Sequence, residues 1–184
     1  MTTPPAKAGG VVTKQQLIDA GFGNEIQWCA DRRACGSAET FFLEYMWVVI
    51  NSGMKNQIAE KIYQKLLIAI KDRTPLHDAF GHAGKVTAIE KVRSEHKKLF
   101  KQYQESTDKL AFLEGLPWIG KITKFHLARN LGMDVCKPDR HLVRIASKYN
   151  TTPEQLCSVL SVDTGDRIGT VDVVLWRAAN LGFL

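Results

Sequence analysis

Asp139 is the carboxylate of this chain whose surroundings most favour chemistry. It lies in the segment Lys-Pro-Asp-Arg-His-Leu-Val-Arg, which begins at Lys137 and ends at Arg144. An aspartate after proline predicts the start of a helix, and the helix N-terminus and nearby basic residues keep such a carboxylate ionised. An ionised carboxylate can stabilise positive charge on a sugar and orient or deprotonate an attacking water. The alternative interpretation is that Asp139 only caps its helix.

A second segment precedes Asp139 by about the length of one helix. Residues 116–120 read Leu-Pro-Trp-Ile-Gly and lie between two helical patterns, which predicts a tight hairpin within residues 106–132. We expect Ser106 or Thr107 to begin the helix that enters the hairpin and Gly120 to begin the helix that leaves it. The backbone N–H groups of such a hairpin can hold a phosphate without reading any base.

Together, the two segments resemble the helix-hairpin-helix DNA glycosylases, the superfamily that includes the endonuclease III and adenine glycosylase types. Those proteins carry a Leu-Pro-Gly-x-Gly hairpin and then a Val-Asp-x-His-x-x-Arg segment whose aspartate is catalytic. Asp139, His141 and Arg144 match the second pattern without a gap, whereas Trp118 replaces the first hairpin glycine. The resemblance implies a DNA N-glycosylase of base excision repair. Such an enzyme flips a damaged or mismatched base out of double-stranded DNA and cleaves its N-glycosidic bond.

Two lysines near the hairpin bear on the type of reaction. In family members that also cut the DNA backbone, a lysine two residues after the second hairpin glycine attacks C1′. That place is Ile122 here, which favours a monofunctional enzyme that uses water. However, the distance from Gly120 to Asp139 is one residue shorter than in endonuclease III, so Lys121 or Lys124 could be equivalent to the lyase lysine. Both lysines share a helical stripe with apolar residues, and we prefer Lys124 because it lies deeper in that stripe.

The resemblance and the aromatic residues predict further contacts with DNA. The turn at residues 51–56 is similar to a family turn that faces DNA, although Met54 stands where the family has glutamine. The predicted DNA-binding residues are Leu116, Pro117, Trp118, Ile119, Gly120, Met54, Lys55, His141 and Arg144. An exposed Trp118 indole would suit a DNA contact, and a buried one would staple the hairpin. A flipped base needs aromatic walls, for which we predict Trp47, Tyr45 and Trp28.

Charge and composition fit a polyanionic partner without requiring one. The 184 residues include 25 Lys and Arg against 19 Asp and Glu, a net charge of +6. No apolar run is long enough to predict a membrane span. We expect a cytoplasmic monomer, associated with the nucleoid if the source is bacterial. The main competing class is a noncatalytic helix-hairpin-helix protein that only grips the DNA backbone.

The cysteines and histidines do not predict a cofactor or a metal site. The four cysteines are scattered and form no paired metal-binding spacing, which favours reduced buried thiols. Some members of the resembled family hold an iron–sulfur cluster on four cysteines after the catalytic segment. Only Cys157 lies in that region here, so we expect no cluster.

The elements that must position these residues all read as helices. We therefore expect an all-α chain, and the resemblance implies two lobes with a cleft between them. In that fold the first and last helices form one lobe and a middle block forms the other. Residues 1–12 are expected to be a disordered lead and 13–184 the glycosylase unit.

Thr13 is predicted to cap a helix through Ala20, Ser37 to start an apolar helix that ends near Asn51, and residues 81–84 to form a loop before a long helix. Thr152 is predicted to start a helix with a capping box, and a last helix is expected from about Asp166 to Leu181.

Overall fold

A computed structural model describes residues 14–184, and every regular element in that range is helical. In chain order the α-helices are α1 (Lys14–Leu17), α2 (Gly23–Ala30), α3 (Ala38–Asn51), α4 (Asn56–Asp72), α5 (Leu76–Ala79), α6 (Ala83–Glu105), α7 (Lys109–Glu114), α8 (Thr123–Asn130), α9 (Arg140–Ser147), α10 (Pro153–Thr164) and α11 (Ile168–Asn180). A π-helical turn, Ile18–Phe22, joins α1 to α2. The prediction of an all-α chain is confirmed. None of the helices described is long and apolar enough to cross a membrane.

The chain divides into two compact units. One contains the described residues up to Arg33 together with Gly132–Leu184, and the other contains Ala34–Leu131. The hairpin therefore belongs to the second of these, the middle unit. Asp139 belongs to the first, the terminal unit, which is formed by the two ends of the described chain.

In the middle unit, α3 is the central helix and packs against α4, α6 and α8. Ser37 begins it as predicted, since its hydroxyl accepts a hydrogen bond from the N–H of Thr40 at 3.0 Å. Most of α3 is buried, including the fully buried side chains of Phe41 and Tyr45. An apolar helix that is covered on most sides must lie in the core. Helix α3 is therefore the core helix against which α8, the exit helix of the hairpin, packs.

The helices of the hairpin begin later than the sequence predicted. Asp108, rather than Ser106 or Thr107, caps α7, because its carboxylate accepts from the N–H of Ala111 at 2.9 Å. The exit helix α8 begins at Thr123 rather than at Gly120. Residues 120–122 therefore form a turn, which changes the positions predicted for the lysines.

In the terminal unit, α11 packs against α1, α2, α9 and α10. Thr152 starts α10 with the predicted capping box, in which its hydroxyl accepts from the N–H of Gln155. The predicted break after Ala20 is present, because Gly21 has a φ of 92°, but a helix that the sequence did not predict, α2, begins two residues later. The proposed cap at Thr13 and the lead at residues 1–12 lie outside the described residues.

Candidate catalytic carboxylate and nucleic-acid interface

Asp139 is the N-cap of α9, as predicted, and its two carboxylate oxygens have different surroundings. Oδ1 accepts hydrogen bonds from the N–H groups of His141 at 2.9 Å and Leu142 at 3.3 Å. Oδ2 lies 3.9 Å from Nζ of Lys137, and 15% of the Asp139 side chain is exposed. The carboxylate therefore lies between the start of α9 and an ammonium group. Oδ1 is thus engaged as a cap, while Oδ2 takes no part in the cap and lies near a cation.

The segment before Asp139 is anchored at two consecutive residues, Cys136 and Lys137. Cys136 is buried in a core cluster with Leu142, Cys157 and Val171. The backbone N–H of Lys137 donates to the buried carboxylate of Asp172 on α11 at 2.7 Å. Asp139 is therefore presented from a fixed backbone rather than from a free loop. Asp172 thus supports the backbone two residues before the candidate catalytic carboxylate.

His141 and Arg144 contribute in different ways. The His141 side chain is half-buried, and its N–H binds the carboxylate of Asp139. Arg144 is exposed, and its Nη2 donates to the Leu184 carbonyl oxygen at 2.9 Å. Both residues stay predicted DNA contacts. Because an exposed arginine gains little from a single carbonyl partner, its guanidinium remains able to exchange that partner for a phosphate.

In the middle unit, the hairpin is a turn with a strained third residue. The N–H of Ile119 donates to the Leu116 carbonyl at 3.1 Å, which places Pro117 second and Trp118 third in a four-residue turn. Trp118 has a φ of 64°. Proline at the second position and positive φ at the third are typical of a type II turn, where glycine is the usual third residue. The turn therefore carries tryptophan at the position where glycine is favoured, at a cost of about 1–3 kcal/mol.

The other hairpin residues contribute either buried side chains or backbone N–H groups. Leu116 and Ile119 are buried, so only their backbones can contribute to the predicted DNA contact, and Pro117 is half-buried. Gly120 is exposed, and its N–H donates to Thr123 Oγ1 at 2.7 Å. Within the described residues, the N–H groups of Trp118, Lys121 and Ile122 donate no hydrogen bond. Such a cluster of unused donors is the feature that a backbone phosphate grip requires.

Gly120 itself does not have the role that the hairpin pattern suggested. Its φ is outside the left-handed region, and an added Cβ would meet only Thr123 Oγ1, at 4.0 Å. The position that requires glycine-like freedom is Trp118, two residues earlier. Neither the backbone conformation nor the space around residue 120 therefore requires a glycine there.

The indole of Trp118 is partly covered by the first turn of α6. An ideal Cβ on Gly84 would lie 2.8 Å from Cζ3 of the indole, and the His82 ring meets the indole edge-on with centroids 5.2 Å apart. The indole nevertheless stays 44% exposed. Trp118 therefore does both things that the sequence presented as alternatives, since it staples the hairpin to α6 and also presents an aromatic surface.

We expect a double-mutant cycle to show that the effect of an alanine at position 84 on stability depends on the indole of Trp118. Gly84→Ala should lower the free energy of unfolding by about 1 kcal/mol in the wild-type background, because the new methyl overpacks the indole. In a Trp118→Gly background the same substitution should raise it by about 0.5 kcal/mol, since alanine then only improves the helix. Urea unfolding of the four proteins measures the coupling.

Gly81→Ala is the matched control for this cycle. A Cβ at Gly81 has no neighbour within 4 Å, so it should show no coupling to Trp118. Additive effects of Gly84→Ala and Trp118→Gly would contradict the packing role of the glycine.

Of the two candidate lysines, the structure places Lys124 in α8, one turn before the buried Ala128, and Lys121 in the turn before that helix. Nζ of Lys124 lies 2.5 Å from a carboxylate oxygen of Glu114, on the helix that enters the hairpin. Lys121 precedes α8 and is exposed. The predicted stripe therefore holds for Lys124, Ala128 and Leu131 but does not include Lys121, because α8 begins at Thr123. Because Nζ of Lys124 is held in this ion pair, it would have to leave Glu114 before it could attack C1′.

Of the three residues predicted to wall a base pocket, Tyr45 is contradicted. It is fully buried, and its hydroxyl donates to the Pro117 carbonyl at 2.7 Å. Burial raises the pKa of Tyr45 above its usual value, so the hydroxyl stays a donor. Tyr45 lies in the core and supports the hairpin through its hydrogen bond to the Pro117 carbonyl.

The other two aromatic candidates lie in different units. Trp47, in the middle unit, is half-buried and meets the ring of Tyr63 edge-on at 5.6 Å. Trp28, in the terminal unit, is 41% exposed, and the guanidinium of Arg32 lies over its ring at 4.1 Å. Both keep enough open surface to stay candidates for stacking against a base.

The predicted DNA-facing turn follows the end of α3. Met54 is half-buried and its N–H donates to the Asn51 carbonyl at 3.0 Å, while Lys55 is exposed at the start of α4. Lys85 on α6 reaches the same turn: its buried ammonium donates to the carbonyls of Ile50 at 2.9 Å and Ser52 at 2.6 Å. Burial lowers the pKa of Lys85.

Sequence reasoning missed the residues that support the candidate site. These are Lys137 beside Asp139, Glu114 against Lys124, and the α6 turn with His82, Gly84 and Lys85. The available signal was Gly84, because a glycine at the start of a helix often marks the close approach of another group. In the part of the chain that the structure describes, no cluster of His, Cys, Asp or Glu side chains could hold a metal ion.

Comparison with known proteins gives no relative for this arrangement. No protein-family model, no curated protein and no solved structure matches the chain. Functional conclusions therefore depend on the chemistry of the residues themselves.

Proposed function

We propose that this chain is a DNA N-glycosylase that removes a damaged or mismatched base with Asp139 and a water molecule. The observation that carries the proposal is the carboxylate of Asp139: Oδ1 is held by the start of α9, and Oδ2 lies 3.9 Å from the ammonium of Lys137 on a side chain that is 15% exposed. The cap uses Oδ1 alone, which leaves Oδ2 for a second role.

The proposed reaction uses Asp139 at the sugar. The bond between C1′ and the base nitrogen breaks, the base leaves with the bonding electrons, and positive charge develops on the deoxyribose. The carboxylate of Asp139 stabilises that charge and accepts a proton from the water whose oxygen bonds to C1′. The anchored backbone at Cys136 and Lys137 supports this role, because charge stabilisation is strongest when the charged group is held in place before the reaction.

The hairpin supports DNA as the substrate. The unused N–H groups of Trp118, Lys121 and Ile122 suit a phosphate, and such contacts bind the backbone without sequence preference. The exposed Trp118 indole adds a surface on which a base or sugar can pack. The strained backbone at Trp118 also favours a functional role, since a non-glycine residue with positive φ is costly to keep.

The lysine geometry favours water over an amine as the nucleophile. Lys124 is paired with Glu114, Lys121 is exposed, and Ile122 occupies the position of the family's lyase lysine. We therefore propose a monofunctional enzyme, with lyase activity through Lys124 or Lys121 as the alternative.

A noncatalytic DNA-binding protein is the second candidate function. The observation that favours it is the double hydrogen bond to Oδ1 of Asp139, which by itself accounts for an aspartate at this position. The two functions differ in whether any base is released.

A panel of duplexes, each with a single lesion or mismatch, tests the proposal. The panel should include an oxidised purine, an alkylated purine and a deaminated or mispaired pyrimidine. We expect free base to be released from at least one duplex, with strand breakage only after alkali. Tight, salt-sensitive binding to all duplexes without base release would instead identify the noncatalytic protein.

A further inference from the structure

Lys85 is a buried lysine that the proposed chemistry does not use. It lies on the first turn of α6, is 4% exposed, and gives its ammonium to the carbonyls of Ile50 and Ser52. The last carbonyls of a helix have no partners within that helix, and a cation there is favourable. The ammonium therefore closes the end of α3 and fixes the first residue of the turn that follows.

That turn is built to be held in one conformation. Ser52 donates its N–H to the Val48 carbonyl at 3.0 Å, and Met54 donates to Asn51 at 3.0 Å. Gly53 has a φ of 72°, a conformation that glycine adopts readily. Residues 52–55 thus leave α3 along a defined path, with Lys55 exposed at its end.

The same turn of α6 supports the hairpin. Gly84 lies beneath the Trp118 indole, and the ring of His82 packs against the indole edge. The backbone N–H of Lys85 in turn donates to Nδ1 of His82 at 3.4 Å. One helical turn therefore touches the hairpin on one side and residues 50–52 on the other.

We propose that Lys85 is a positioning residue, which holds residues 52–55 in place so that they form one preorganised DNA-binding surface with the hairpin on the middle unit. The inference has two parts. The DNA half, that residues 52–55 and the hairpin bind a duplex, rests on the proposed function. The brace, which is the hold of the Lys85 ammonium on the carbonyls of Ile50 and Ser52, rests on the contacts of Lys85 alone. The duplex backbone is the occupant that this surface fits, because it combines unused N–H donors at the hairpin with the exposed ammonium of Lys55.

Hydrogen exchange tests the brace without DNA. In Lys85→Met, the amides of Ser52 and Met54 should exchange at least about tenfold faster, while the amide of Ile119 in the hairpin should be unchanged. Tyr45→Phe is the matched control, since it removes the hydrogen bond to Pro117 and should speed exchange at Ile119 but not at Ser52. Unchanged exchange of Ser52 and Met54 in Lys85→Met would overturn the brace.

Duplex binding tests whether residues 52–55 belong to the DNA-binding surface. Lys85→Met should weaken binding to undamaged duplex several-fold. Lys55→Glu should weaken it and change the slope of log affinity against log salt by about one unit or more. The control is Lys71→Glu, the same charge change at the far end of α4, about 24 Å away along the helix axis.

The two surface variants keep the inference testable if Lys85→Met does not fold. Equal effects of Lys55→Glu and Lys71→Glu would show general charge attraction and overturn the DNA half of the inference. If the wild-type protein binds no duplex at all, the proposed function and the DNA half both fail. The exchange result still decides whether Lys85 braces the turn.

Discussion

Asp139→Asn should slow base release by about 10²–10³-fold, because it removes the negative charge that stabilises the developing positive charge on the sugar. The affinity for undamaged duplex should stay within a few-fold of wild type, since the carboxylate acts on the reacting sugar rather than on the phosphates. Single-turnover base release from a substrate duplex gives the rate, and a binding titration with undamaged duplex gives the affinity.

Asparagine is the informative substitution because it separates catalysis from capping. Asparagine caps helices about as well as aspartate, whereas alanine would lose the cap at a cost of about 1 kcal/mol. In the Asp139→Asn variant the amide oxygen of the new side chain can still accept from the N–H of His141, so α9 should keep its start.

Asp108→Asn is the matched control for this experiment. Asp108 caps α7 through a carboxylate bonded to the N–H of Ala111, so the same change alters a cap with no proposed chemical role. We expect Asp108→Asn to leave base release unchanged. If both variants kept full activity, Asp139 would be only a cap and the central claim would be lost.

The elements that could be predicted from sequence are those whose signals are local. Ser37, Asp139 and Thr152 all cap helices as predicted, because a cap depends on a side chain and on N–H groups two or three residues away. The all-α composition follows for a similar reason, since helical periodicity is written within each segment.

The failures come from partners that are distant in the sequence. The hydroxyl of Tyr45 binds the Pro117 carbonyl, 72 positions away, and the ammonium of Lys85 binds the Ile50 carbonyl, 35 positions away. Neither partner is a side chain, so no residue type marks it. An aromatic ring on an apolar helix gave the same pattern whether it lined a pocket or filled the core.

The lysines show how a small boundary error alters a functional interpretation. Placing the start of α8 at Gly120 put Lys121 and Lys124 on one stripe with apolar residues. The bond from the Gly120 N–H to Thr123 Oγ1 belongs instead to a turn, and α8 starts three residues later. Glu114, which pairs with Lys124, lies across the hairpin and could not be assigned to it from spacing alone.

The pairing of Lys124 with Glu114 leads to the second large expected effect. Borohydride should trap no covalent complex between the wild-type protein and a substrate duplex, because an imine requires an amine that is free to reach C1′ and Nζ of Lys124 is held 2.5 Å from a carboxylate. Base release should survive both Lys124→Ala and Lys121→Ala. A trapped complex that disappears in one of these two variants would reverse the assignment and identify a lyase.

Ile122→Lys provides the matching gain of function. Ile122 is 42% exposed in the turn before α8, so a lysine there should be tolerated, and the resemblance gives this position to the attacking amine. We expect Ile122→Lys to yield a borohydride-trapped complex on the same duplex from which the wild-type protein only releases base. The substitution leaves Glu114, Lys124 and Asp139 in place. The appearance of the complex would therefore show that the wild-type protein lacks lyase activity chiefly because it has no lysine without an ion-pair partner at position 122.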